Sequence, residues 1–346
     1  MHPFTPIDVL FVPCGCRIVV SSTSAKYVNY FFRVFIVTAY ISDLMANYTN
    51  FTKPFGRPLV HLEWWMGQGF GFTSLIILFR NGQNMGDMIS SCLKSLTCDQ
   101  CNSLRRHSLL ALIIGILIHL TGIGTTVVHL LSIHADRGHI IGDIATETRG
   151  LNQWLIGGCF VYTFFVKMTG FMEDNFFTHL NQQISMKGEH SPDPQSLAHN
   201  RWILTEDRNK LFDTLSVIPI FWFTRFFIKC GAALMDTMEA SNARAERIAS
   251  MLPFLFESGV LFYIIFLCDS VSASMKRQTN GLIGKLMSRG QAREFEPLIW
   301  QLRESREAEF TAWSTFDINR KFVLSFISSL ITFTVLFIQI ANSLIH

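Results

Sequence analysis

The stretch FDINRKFVLSFISSLITFTVLFIQI, Phe316 to Ile340, decides the fold. Its basic pair Arg320-Lys321 gives way at Phe322 to a run that carries no charge as far as Leu344. A run of that length and apolarity spans a bilayer as a helix, and polar groups inside it are costly unless they meet protein or water. Ser325, Ser329, Thr332 and Gln339 stand four, three and seven residues apart, which puts them on one helical face together with Leu336. The helix therefore has a lipid side and a side reserved for something else.

The rest of the chain has the same character. Its 346 residues are 49% hydrophobic and 16% charged, with a mean hydropathy of +0.30, which excludes an ordinary soluble domain. Apolar runs of about 20 residues fall at 27–45, 59–79, 108–133, 151–171, 211–235, 251–271 and 322–344. The expected fold class is all-α: a polytopic membrane protein of seven transmembrane helices forming a single domain over 1–346. Met1 to Val20 holds Pro3, Pro6, Pro13 and Asp8 and lacks a basic region ahead of an apolar core, so no cleavable signal is expected.

Loop charges predict the orientation. With the N-terminus in the cytosol, cytosolic segments hold 19 Lys and Arg and exterior loops hold 6, a positive-inside bias that places the C-terminus outside. The sequons at Asn47 and Asn50 both fall in the first exterior loop and agree as candidate glycosylation sites. Chance sequons in a loop too close to the membrane would look the same. None of the eight cysteines lies in an exterior loop, so no exterior disulfide is expected.

On the cytosolic side, 186–200 has the composition of a flexible loop. Segment 273–316 is expected to be a cytosolic helical segment, because from Gly281 onward Leu282, Leu286, Phe295, Leu298, Ile299, Leu302 and Phe310 alternate with charges at roughly helical spacing. Taken alone, such a stretch is a solvated connector or a helix on the membrane surface. Cys98-Asp-Gln-Cys101 is the one metal-like motif, and a lone pair falls short of the four ligands of a structural zinc site. No cofactor, metal, nucleic-acid partner or catalytic residue is expected, and the chain does not read as an enzyme.

Charges within the spans carry more weight. Glu63 lies at the outer end of the second span, Arg225 and Lys229 in the outer half of the fifth, and Glu257 near the start of the sixth. Each costs about 2.5 to 3.5 kcal/mol at the bilayer centre unless partnered or wetted. One reading is an outward-facing ligand pocket built from Glu63, Trp64, His129, Trp154, Arg225 and Glu257. The other is that Glu63 and Lys229 snorkel, Arg225 and Glu257 form a structural pair, and the tryptophans, Trp65 included, belong to an interfacial belt.

The final helix resembles that of the arthropod gustatory and odorant receptors, whose seventh helix carries Thr-Tyr, five residues, then Gln-Phe. Here the matching positions are Thr332, Phe333, Gln339 and Ile340: the Thr, the Gln and their spacing agree, and both aromatic positions are replaced. Ala312 to Arg320 is similar to the approach to that helix. The resemblance implies a divergent gustatory-receptor-like chemoreceptor at the plasma membrane, a ligand-gated non-selective cation channel. In it four subunits, identical or mixed, surround a pore lined by Ser325, Ser329, Thr332, Leu336 and Gln339, with small-molecule ligands in the outer half and a shared cytosolic anchor. The alternative is a non-sensory channel or structural protein of the same superfamily. A G-protein-coupled receptor fits less well, since it needs the opposite orientation and its acidic-Arg-Tyr and Asn-Pro-x-x-Tyr motifs are absent. A transporter would be expected to show an internal repeat, and none is found; Pro219 is a single kink candidate.

Overall fold

A computed structural model describes residues 34, 38, 58–132, 152–185, 193–238, 244–306, 310–312 and 315–345. The expected first span, 27–45, lies outside the described residues apart from Val34 and Thr38, both helical. The glycosylation candidates Asn47 and Asn50 lie outside them as well.

The helices are α1 (Pro58–Ser95), α2 (Cys98–Ser132), α3 (Asn152–Ser185), α4 (Pro194–Leu215), α5 (Val217–Met238), α6 (Arg244–Ser288), α7 (Glu296–Arg306) and α8 (Arg320–Ile345). Between α7 and α8 sit two short strands, β1 (Thr311–Ala312) and β2 (Phe316–Asp317), paired antiparallel. By length and composition, three stretches among the described residues are apolar enough to cross a membrane: Cys98–Ile118, Pro194–Gly231 and Leu255–Ser288.

The helix at the centre is α3, and its sequence says why. Cys159 through Val166 are buried without interruption, and a helix that is apolar all round must be enclosed. It packs against α1, α2, α5 and α6. Two glycines permit close approach: a Cβ at Gly158 would come within 3.0 Å of Ile218 Cγ2 on α5, and one at Gly170 within 3.2 Å of Val271 Cγ1 on α6.

Helix ends follow local chemistry. Thr97 and Gln100 form a capping box: Gln100 N donates to Thr97 Oγ1 at 3.3 Å and Thr97 N donates to Gln100 Oε1 at 3.0 Å. The Cys98-Asp-Gln-Cys101 motif is thus the capped first turn of α2, and Gln100 Nε2 goes on to donate to Asn175 Oδ1 on α3 at 2.9 Å. Asp193 caps α4 by accepting from Gln195 N and Ser196 N at 3.1 Å each, with Pro194 in the first turn. The break between α4 and α5 falls at Ser216, one turn ahead of Pro219, whose ring denies Leu215 O its helical donor. α6 ends in a Schellman turn: Gly290 takes φ 69°, its N–H donates to Met287 O at 3.1 Å, and Gln291 N donates to Leu286 O at 3.1 Å.

Helices α3, α4 and α6 run on past the apolar core into a second one. Leu282, Leu286, Phe295, Leu298, Ile299 and Leu302 are buried there against Phe177, Leu180, Ile184 and Leu197. The periodic apolar residues of 281–302 therefore face a core of their own, where the sequence alone left a solvated or membrane-surface helix open. Polar tethers hold the same end together: Gln278 to Asp174, Lys285 Nζ to Asn181 Oδ1 at 3.0 Å, and Arg289 Nη1 to Ile184 O at 2.7 Å. Helical structure in the expected anchor 273–316 reaches Arg306, with the turn 289–295 interrupting it. Beyond it the chain closes in the β1–β2 hairpin, where Ile318 N donates to Phe310 O at 2.7 Å and Phe310 joins the main core.

Candidate functional site

Helix α8 lies on the outside of the bundle, docked on α5 and α6 through an aromatic face. Asn319 Oδ1 accepts from Phe322 N at 3.1 Å and starts the helix, while Arg320 Nε meets Asp269 Oδ2 of α6 at 2.8 Å. Phe322 packs on Phe223 at 4.8 Å between ring centroids, and Phe333 packs on Phe227 at 5.0 Å. Phe322, Phe326, Leu330 and Phe333 recur at helical spacing, so the docked face takes up roughly a third of the helix.

All five residues expected to line a pore stay off that face. Ser325, Ser329, Thr332, Leu336 and Gln339 are exposed in the single subunit. Next to them lies a second exposed face that is mostly apolar, with Leu324, Ile331 and Val335 around Ser328; Leu324 is 73% exposed. The hydroxyls of Ser329 and Thr332 donate to Ser325 O and Ser328 O at 2.9 Å each, so both are satisfied within the helix.

The outer-pocket residues are brought together only in part. Lys229 Nζ meets Glu257 Oε1 at 2.6 Å across α5 and α6; Lys229 is 23% exposed and Glu257 is buried. This corrects the alternative in which Lys229 snorkels: its ammonium bonds Glu257. Arg225, one turn earlier on α5, is buried too. Glu63 and Trp64 stand on α1, His129 on α2 and Trp154 on α3. The side chains of these four, and of Trp65, lie outside the described residues.

A polar relay that the sequence did not signal crosses the bundle nearby. Tyr263 on α6 places its OH 2.8 Å from His107 Nδ1, and His107 Nε2 lies 3.3 Å from Thr163 Oγ1 on α3. Thr163 Oγ1 in turn donates to Phe160 O at 2.9 Å. Because that hydroxyl spends its proton on the carbonyl, it accepts from Nε2–H, and Nδ1 accepts from Tyr263. The network thus assigns the neutral Nε2–H tautomer. A lone histidine beside an apolar run gives no hint of this, since its partners lie 56 and 156 residues away. The charge on Lys167, half-buried on α3, was likewise passed over.

No protein-family model matches the chain, and no curated protein matches it. Solved structures do. The insect olfactory receptor OR5 from Machilis hrabei superposes with a TM-score of 0.75 at 11% identity, covering 97% of this chain and 97% of that one. The same receptor in complex with eugenol superposes with a TM-score of 0.69 at 12% identity, again over 97% of each chain. Over that shared length the fold agrees with that of an insect olfactory receptor, as the resemblance of the last helix and the all-α membrane class led one to expect.

Proposed function

We propose that this protein is a gustatory-receptor-like subunit of a ligand-gated, non-selective cation channel at the plasma membrane. The observation that carries the proposal is α8, a helix docked by its aromatic face while Ser325, Ser329, Thr332, Leu336 and Gln339 remain exposed on a monomer. Four copies set about an axis would turn that stripe inward, with Leu336 as the apolar constriction and Gln339 as the polar ring beside it. A receptor of the same fold has been solved in complex with eugenol, and a small organic ligand is proposed here, held in the outer half near Arg225 and Glu257. Ligand binding between α5 and α6 would reach the pore through the contacts of Phe223 and Phe227 with α8 and through Asp269–Arg320. No nucleotide, G protein or catalytic step is assigned.

One observation favours the rival, a non-sensory structural member of the same superfamily. The inward-bonded hydroxyls of Ser329 and Thr332 suit a lipid-facing helix as well as a wet one. Expression of the full chain alone in a cell line free of other receptors separates the two. The channel reading expects a fourfold particle in mild detergent and a cation conductance raised by some members of a small-ligand panel. A monomer without added conductance overturns it.

A further inference from the structure

Between α1, α3 and α4 lies a cavity of about 530 Å³ that the channel mechanism does not use, a volume in the range of small-molecule sites. Met85, Met88, Met172, Leu211 and Leu215 make an apolar wall, and methionines adapt to irregular guests. The ions around it cancel. Glu173 and Asp207 line it together with Arg208 and Lys210. Arg201 bonds Glu173 Oε2, Arg208 Nη1 stands 3.5 Å from Glu173 Oε1, and Lys210 is held by Glu206 at 2.7 Å. Burial, then Asp207, pushes the lining thiol of Cys92 up to about 12, so it too stays neutral. The wall thus offers a charged guest no excess of either sign in exchange for the water it would lose.

One hydroxyl on that wall departs from local habit. Thr73, Thr205, Thr224 and Thr332 each donate to the carbonyl four residues earlier, at 2.8, 3.0, 2.8 and 2.9 Å, as threonine in a helix commonly does. Thr169, 3% exposed in the interior of α3, has no hydrogen-bond partner for Oγ1. Glu173 Oε1, one turn further along the same face, accepts no hydrogen bond and has only the 3.5 Å ion pair. Both residues line the cavity. A donor and an acceptor therefore stand one turn apart on its wall, and buried groups in that state call for a ligand or water.

We propose that this cavity binds a neutral apolar alcohol, whose hydroxyl accepts from Thr169 Oγ1 and donates to Glu173 Oε1 while its hydrocarbon body lies along the methionines and leucines. A hydroxyl is suited to the place because one oxygen both accepts and donates. Leu215 at the cavity and Arg225 are separated by ~15 Å of helix, which makes this a second site and not an extension of the outer pocket. It rests on the membrane fold alone, so a chain without conductance would leave it standing.

Photolabelling of the full chain in nanodiscs with a diazirine-bearing octanol, mapped by peptide mass spectrometry, tests it. Saturable labelling is expected within 85–92 or 169–173. 1-Decanol should displace the label. Its methyl ether and decanoate, neither of which can donate to Glu173, should need about tenfold more or beyond, the effect of one lost hydrogen bond to a charged group. Thr169→Val keeps the shape and loses the hydroxyl, and should weaken displacement by decanol about three- to tenfold. Unliganded, the same variant should melt at or above the parent, since it removes an unsatisfied buried group. Met88→Trp fills the cavity without changing charge and should abolish the labelling. Equal displacement by the ether overturns the recognition of a hydroxyl, and stronger displacement by decanoate overturns the neutral class. Labelling that does not saturate, or that both variants leave unchanged, assigns the cavity to water and overturns the proposal. A lower melting temperature for unliganded Thr169→Val would give that hydroxyl an internal partner and overturn it too.

Discussion

A buried histidine is tolerated in a membrane bundle when both ring nitrogens are occupied, and His107 meets that condition through partners on two other helices. Tyr263→Phe removes the donor to Nδ1 and leaves a buried acceptor unsatisfied, at a cost of about 1–3 kcal/mol. The melting temperature of the purified variant should fall, whereas the double variant His107→Phe/Tyr263→Phe should lose less than the two single variants sum to. Additive losses would mean that the ring makes its contacts independently. The Lys229–Glu257 pair calls for the same treatment: Glu257→Gln and Lys229→Met should each reduce surface expression, and the double variant should recover part of it, because the loss in each single variant is mostly that of a stranded buried charge. If the double variant falls further, the pair is not the unit of stability. Nothing in the sequence signalled His107 and Tyr263, whereas that Lys229 and Glu257 needed partners or water was legible in it. Which partner each took was not, because Lys229 and Arg225 are one turn apart on α5 and compete for one carboxylate on a different helix.

At the scale of the element, legibility tracked how local the determinant was only in part. Pro219 was read from the sequence as a kink candidate and the helix breaks one turn ahead of it, whereas the capping box at Thr97 and the Schellman turn at Gly290, as local in origin, were not read. The β1–β2 hairpin escaped notice because strands of two residues carry no period, and they persist here only because Phe310, Ala312 and Ile318 enter the main core. The amphipathic pattern of α8 was visible, and the structure adds that it has two exposed faces, one polar and one mostly apolar. That split makes the pore assignment testable inside one helix. Leu336→Ser should raise resting cation leak by opening an apolar constriction, and Gln339→Arg should lower cation current by adding a positive charge from each subunit. Val335→Ser, about 100° around the helix on the apolar face, should leave conductance unchanged. Whole-cell currents in which Leu336 and Val335 behave alike would mean that the lining face is misassigned.

For the whole molecule, the membrane class could be read from composition, and the fold from a single helix, because a seven-span bundle leaves its hydrophobic record along most of the chain. The second core at the end of α3, α4, α6 and α7 was harder to see. Its residues are spread over 177–302 and alternate with charges, so only their convergence identifies them as a core rather than a solvated face. That core bears on topology, since it holds the extensions of α3, α4 and α6 together at one end of the bundle. The loops at that end hold most of the 19 Lys and Arg of the segments expected in the cytosol, against 6 in the loops expected outside, so the positive-inside rule would keep that end inside. Pushing that end through a membrane would also mean translocating the buried Glu173–Arg201 pair and everything folded around it. An epitope placed after His346 should therefore be stained on intact cells, and one placed before Met1 only after permeabilisation. Staining of the N-terminal tag alone on intact cells would invert the bundle, put the second core outside, and remove the positive-inside argument together with the channel orientation built on it.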